Sequence, residues 1–292
     1  RRQIDSSEFG GGYVENFSTE DFSNYIKSKN SSYIYTARDH GGPWQSVKES
    51  TANMSVKDAM ASAKRSFEVD ILNDFNFIHI DPSVPIQNET LSLEIIIERL
   101  FELYEHCYQF AQKHNKVIEF ELGTEEQNGY TQDLEAFEYF LQKTQTFCKT
   151  NSIKAPTFVV AQTGTKVMET ENVGIFPKTI DDAKQISFEH LQSTIKLCEK
   201  YNLNLKEHNT DYQTPEALAL RPVLGIHASN VAPEFGVIET KGLLYLMKIF
   251  NYTNEFDKFI ETSLNSNKWV KWMIKGSGAD DLKRAIVSGH YV

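Results

Sequence analysis

Cysteine is scarce in this sequence: Cys107, Cys148 and Cys198 are the only three among 292 residues. No CxxC pair occurs and the total is odd, which argues against a disulfide framework and leaves reduced, inert thiols of a cytoplasmic protein. No apolar run approaches the roughly 20 residues of a membrane span, and no signal-like apolar segment occurs, so a soluble protein with no membrane partner is expected. Positive charge is also in deficit. Thirty Lys and Arg against 40 Asp and Glu give a net charge of −10, the wrong sign for a phosphate-backbone partner. Nucleic acid is therefore set aside in favour of small-molecule chemistry.

What is present is an ordinary globular composition, 40% hydrophobic and 24% charged, with enough chain for one large domain with a sizeable core. Six short segments rich in β-branched or aromatic residues end in a polar side chain: 32–40, 75–83, 117–123, 157–164, 203–209 and 223–229. Each reads as a strand. Taken at Asp39, Asp81, Glu121, Gln162, His208 and His227, the polar ends lie 42, 40, 41, 46 and 19 residues apart. Stretches with helical periodicity separate the strands, as at 91–114, 133–150 and 215–220, and a further helix covers 241–250 and beyond. Strand and helix in alternation mean parallel strands with right-handed crossovers. The expected fold is α/β, a (β/α)8 barrel over residues 1–292 with a C-terminal helical extension from about 251. Six strands do not close such a barrel, so two are expected upstream of Arg1; the alternative is an open, doubly wound sheet. Gly10-Gly11-Gly12 then reads as the loop after an upstream strand, and 21–29 as its helix. Trp269 and Trp272 read as packing residues, and Trp44 as either a sugar-stacking or a conformational residue.

Alternation along a strand places Arg38 with His40, His79 with Asp81, Glu119 with Glu121, and Lys206 with His208 on one face, with Ile78, Ile80, Ile118 and Phe120 on the other. Burying these charges without partners costs several kcal/mol each. Either they form an internal ion-pair network, or they bind a metal and substrate at the strand ends where barrel enzymes keep their sites. His40, Glu121 and His208 are ligand types that suit Zn²⁺, or Mn²⁺ if more oxygen joins them. Asp39 is a base or a support for His40, and Gln162 or Asp81 completes the ring of ligands or holds substrate hydroxyls. Arg38, Asp81, Ser83, Lys206, Asp211, His227 and Asn230 are the expected substrate contacts.

The segments Gly10 to Tyr13, DHGGPWQ at 39–45, IHIDPS at 78–83, IEFELGTEE at 118–126, VVAQTG at 159–164 and EHNTDYQTP at 207–215 together resemble the tagatose-bisphosphate aldolase second-subunit family, relatives of the class II ketose-bisphosphate aldolases. The resemblance implies Asp39 as base, His40 and His208 as metal ligands and Glu121 as a carboxylate near the metal. Two departures stand out. Gly164-Thr165-Lys166 lacks the histidine those aldolases carry after a Gly-Thr, and Asn209-Thr210-Asp211 replaces their glycine-rich phosphate loop. The expected function is a metal-dependent enzyme of ketose metabolism. Within that class the reading is an epimerase acting on a phosphorylated or nucleotide-linked ketose through an enediolate or a retro-aldol step, with Asp39 and Glu121 moving protons. The alternatives are a tagatose-bisphosphate-type aldolase and a non-catalytic subunit that stabilises one, and expected partners include a second copy or an aldolase subunit.

Overall fold

The computed structural model describes residues 17–85, 89–124, 130, 133–177 and 186–292. The glycine run at 10–12 and the pair Glu125-Glu126 lie outside the described residues. The chain divides into two compact units, one from Arg1–Glu126, Asp133–Val160 and Leu197–Asn204, the other from Gln127–Gln132, Ala161–Lys196 and Leu205–Val292.

In chain order the elements begin with α1 (Thr19–Ser28), β1 (Ala37–Gly41), α2 (Val47–Thr51), α3 (Val56–Leu72) and β2 (Phe77–Ile80). Then come α4 (Leu93–Lys113), β3 (Glu119–Leu122), α5 (Leu134–Asn151) and β4 (Phe158–Val160). After these come β5 (Val167–Met168), β6 (Glu171–Asn172), α6 (Ile186–Lys200), β7 (Asn204–Glu207), α7 (Pro215–Leu224), β8 (Ile226–Ser229) and α8 (Pro233–Ile249). The C-terminal segment holds α9 (Thr253–Asn265), a 3-10 turn at Val270–Trp272, α10 (Asp281–Ser288) and a last 3-10 turn at Gly289–Tyr291. The fold is α/β, with parallel strands alternating with helices in the manner of a (β/α) barrel. In the first unit β1, β2, β3 and β4 pair in parallel in that order, and β7 pairs in parallel with β8. All six expected strands are present. The antiparallel β5–β6 pair was not expected; two residues per strand are too few to show a period.

Local sequence sets the helix starts. Ser55, Ser92, Asp133 and Thr214 each accept a hydrogen bond from an amide in the first turn of α3, α4, α5 and α7, filling donors the helix cannot satisfy itself. Pro215 follows at the first position of α7, where its missing N–H costs nothing. Gly225 ends that helix with φ 91°, left-handed backbone that favours glycine. The first unit's core is apolar on its helix-facing side. Ile78, Ile80, Phe120 and Leu122 are buried, as are Phe67 and Ile71 of α3 and Leu100, Leu103 and Tyr104 of α4.

Candidate metal centre

The centre is built where β1 breaks regular pairing with β2. Ala37 pairs with Phe77 and Arg38 with Ile78, but Gly41 pairs with Ile80, so Asp39 and His40 together stand opposite the single residue His79. This is a bulge of one extra residue, with the left-handed backbone of His40 (φ 48°) inside it, and a bulge re-aims the side chains it carries. The bulge corrects the expected alternation. Arg38 shares the face of Ile78, whereas Asp39 and His40 both reach the face that His79 and Glu121 share through their own register pair.

Asp39, His40 and His79 offer ligand atoms that all lie within 4.8 Å of one another. His40 Nε2 is 3.8 Å from Asp39 Oδ1, and His79 Nδ1 is also 3.8 Å from that oxygen. Each imidazole has a second carboxylate beside it, on the far nitrogen of His40 and on the same nitrogen of His79 that faces Asp39. Asp81 Oδ2 lies 2.5 Å from His40 Nδ1, and Glu121 Oε1 lies 3.4 Å from His79 Nδ1. Ser83 donates through its hydroxyl to the other oxygen of Asp81 at 2.5 Å. His79, Asp81 and Glu121 are buried, while the Asp39 side chain is 39% exposed. Burial pushes the Asp81 carboxyl up, but its bond to His40 and the charge of His79 outweigh that and hold it at about 2. Burial also pushes His79 down, and Glu121, Asp39 and Asp81 outweigh it, so His79 is raised. Two glycines make room. A Cβ on Gly123 would meet His79 Nε2 at 2.6 Å, and one on Gly42 would meet the Asp81 carbonyl oxygen at 2.3 Å.

The other expected site residues fall as follows. Arg38, expected to contact substrate, forms a buried two-pronged ion pair with Asp70 of α3, at 2.7 and 2.9 Å; the register places it on the helix side, so there the ion-pair alternative holds. Trp44 is buried, donates through Nε1 to the Met54 carbonyl and through its amide to Glu49, which makes it a packing residue. In the second unit Gln162 and His208 are buried just past β4 and β7. Thr165 donates to the His208 carbonyl at 2.5 Å, so the Gly-Thr that lacks a following histidine instead braces His208. Asp211 accepts from the amides of Ala232 and Glu234 at 3.0 and 2.8 Å, at the N-terminus of α8. Lys206 is half-buried and its carbonyl accepts from the Ala161 amide. Asn230 exchanges backbone bonds with Glu207 and Thr210. His227 is the second residue of β8 and its Nδ1 accepts from the Leu205 amide, at the start of the strands rather than at the expected C-terminal end.

Nothing in the sequence marks His79 as a ligand beyond the alternation that sets it inward. Glu207 is likewise barely marked, yet it is fully buried and holds Arg221, Thr163, Thr210 and Ser229. The signal was an acidic residue directly before His208 on a strand otherwise destined for the core.

No family model and no curated sequence matches the chain. Solved structures do. One is described as a probable tagatose 6 phosphate kinase from Sinorhizobium meliloti 1021, at a TM-score of 0.73 and 17% identity, covering 95% of this chain and 72% of that one. Another is the fructuronate-tagaturonate epimerase UxaE from Cohnella laeviribosi, at 0.50 and 8% identity, covering 92% of this chain and 60% of that one. At such identities the likeness is one of fold, and it agrees with the parallel α/β architecture described above. Among the described residues no helix is long and apolar enough to cross a membrane.

Proposed function

We propose that this chain is a divalent-metal-dependent enzyme acting on ketose sugars, an epimerase in the first instance. The observation that carries the reading is the convergence of Asp39, His40 and His79 beside the buried carboxylates Asp81 and Glu121. Two imidazoles and a carboxylate suit Zn²⁺, with Mn²⁺ the alternative. His208 is proposed as a further ligand and Gln162 as a neighbouring group, on the sequence reading and the resemblance to tagatose-bisphosphate aldolase second subunits. The two solved structures named above, described as a tagatose phosphate kinase and a uronate epimerase, support a sugar substrate.

When bound, the ion would supply Lewis-acid polarisation of the ketose carbonyl. The protein's own groups divide the remaining work. Asp81 fixes His40 with Nδ1 engaged, which leaves Nε2 as the ligating atom. Glu121 faces the same nitrogen of His79 as Asp39 does, Nδ1, and is proposed to hold that ring in place. Asp39, the most exposed carboxylate of the cluster, turns Oδ1 to His40 and His79; its Oδ2 is proposed to take the proton from the substrate carbon, with Glu121 proposed to serve the opposite transfer.

One observation favours epimerase over bisphosphate aldolase. The amides at the start of α8, the kind of site that binds phosphate, are already taken by Asp211. Incubating the purified chain with ketoses and ketose phosphates in D₂O tests the reading. Epimerisation with deuterium at the inverted carbon is the expected result; label-free epimerisation points to retro-aldol cleavage, and released triose to the aldolase. No turnover of any ketose, with no difference between the parent chain and Asp39→Asn, sinks the enzyme reading.

A further inference from the structure

Helix α8 has two apolar sides. Val237, Thr240 and Leu244 are buried along one of them, the side that packs with α9, α10 and the 3-10 turn at Gly289–Tyr291. On the other, Phe235, Ile238, Tyr245, Leu246 and Ile249 are exposed, Phe235 by 70% and Tyr245 by 64%. Counted with Gly242, they recur at steps of three and four residues and make one continuous stripe. Gly242 lies in the middle of it, where an added Cβ would meet no atom within 4 Å. A glycine inside a helix costs about 1 kcal/mol relative to alanine, and what it permits is the close approach of another backbone. Beyond the helix the stripe runs into a groove lined by Leu246, Phe250 and Tyr252.

We infer that this stripe seats a second copy of the chain, α8 against α8, antiparallel about a two-fold axis at Gly242. An isologous interface must be complementary to itself, and this face is. Pairing about Gly242 sets Phe235 against Ile249 and Ile238 against Leu246, so apolar meets apolar. The same pairing sets Glu239 against Tyr245, Glu234 against Phe250 and Lys248 against Gly236, and it opposes no like charges. Phe235, at the exposed start of the helix, enters the second copy's groove beside Phe250 and Tyr252. The exposed parts of stripe and groove come to roughly 800 Å² per copy, taking 150–250 Å² for each aromatic side chain, which is the per-partner area of a standard stable interface. A stripe this large is unusual on a monomer.

Sedimentation equilibrium of the full chain across micromolar concentrations tests the inference. The expected result is a dimer whose dissociation constant rises at least about 100-fold in Ile238→Glu and again in Leu246→Glu. Both positions are exposed, so the melting temperature of the separated monomer should stay close to that of the parent. In the antiparallel arrangement Ile238→Cys combined with Leu246→Cys should give disulfide-linked dimers on mild oxidation, and Ile238→Cys alone far fewer. A parent chain that is monomeric at every concentration overturns the proposal, including one that co-sediments with phosphatidylcholine vesicles, for then the face is a lipid surface. A dimer that survives both glutamate substitutions overturns it equally, by placing the interface elsewhere.

Discussion

Gly123 is confined by its neighbour: the His79 ring fills the space that a side chain would need, with Nε2 2.6 Å from an ideal Cβ. Gly123→Ala should therefore push His79 out of line with Asp39 and Glu121. The expected outcome is at least about a tenfold loss of metal affinity, read by competition with a chromogenic chelator, and about 1–3 kcal/mol of stability lost to overpacking. Unchanged affinity would show that His79 is no ligand. The same ring makes a prediction about pH. His79 is raised above its ordinary value of 6.5, so in metal-free protein its protonation stabilises the fold. That contribution is complete below 6.5 and is lost as pH rises through the folded-state value. Asp81, held at about 2, behaves in the opposite sense, contributing above 3.8 and failing only as pH falls toward 2. As pH rises from 6.5 through the folded-state value of His79, the urea midpoint of chelator-treated protein should fall. With excess Zn²⁺ or Mn²⁺ it should rise over the same range, because the proton on His79 competes with the ion. A metal-free midpoint that climbs across that range contradicts the charge arrangement described for His79.

Strand β1 shows how an element carries two jobs on adjacent residues. Arg38 points to the helix side and pairs with Asp70, while the extra residue at Asp39-His40 turns both of those side chains to the other face. Removing one member of the buried pair, as in Arg38→Met or Asp70→Asn, should cost about 3–5 kcal/mol in denaturant unfolding, whereas Arg38→Met with Asp70→Leu should cost less than either single change. Additive losses would mean that the two residues do not act as a pair. Five strands were legible in the sequence because each has its own composition and a polar end at a near-constant interval; the sixth was legible by composition alone, since it follows after 19 residues and His227 lies at its start. The bulge was not, since one inserted residue leaves the composition unchanged and shifts only parity; its trace was Gly42, which alone lets the chain pass the Asp81 carbonyl at such close range. The role of Asp211 was hidden for a related reason. Its partners are backbone amides of Ala232 and Glu234, which no side-chain pattern announces. The metal-ligand types at His40 and His208 were legible, but that His79 rather than Glu121 stands nearest Asp39 and His40 depends on the register.

For the whole molecule, the central claim is that strand ends of a parallel α/β fold bring together Asp39, His40 and His79 to hold a divalent ion for sugar chemistry. A fold shared with sugar-related proteins at 17% identity or below fixes architecture and leaves the chemistry to the side chains. The most direct measurement is elemental analysis of the purified chain beside His40→Ala, His79→Ala and His208→Ala, each checked for a native circular dichroism spectrum. The account predicts about one zinc or manganese ion per chain, with loss of the ion in His40→Ala and His79→Ala and weakened retention in His208→Ala. A folded parent chain that binds neither ion, or one that keeps its ion through both of the first two substitutions, would contradict it.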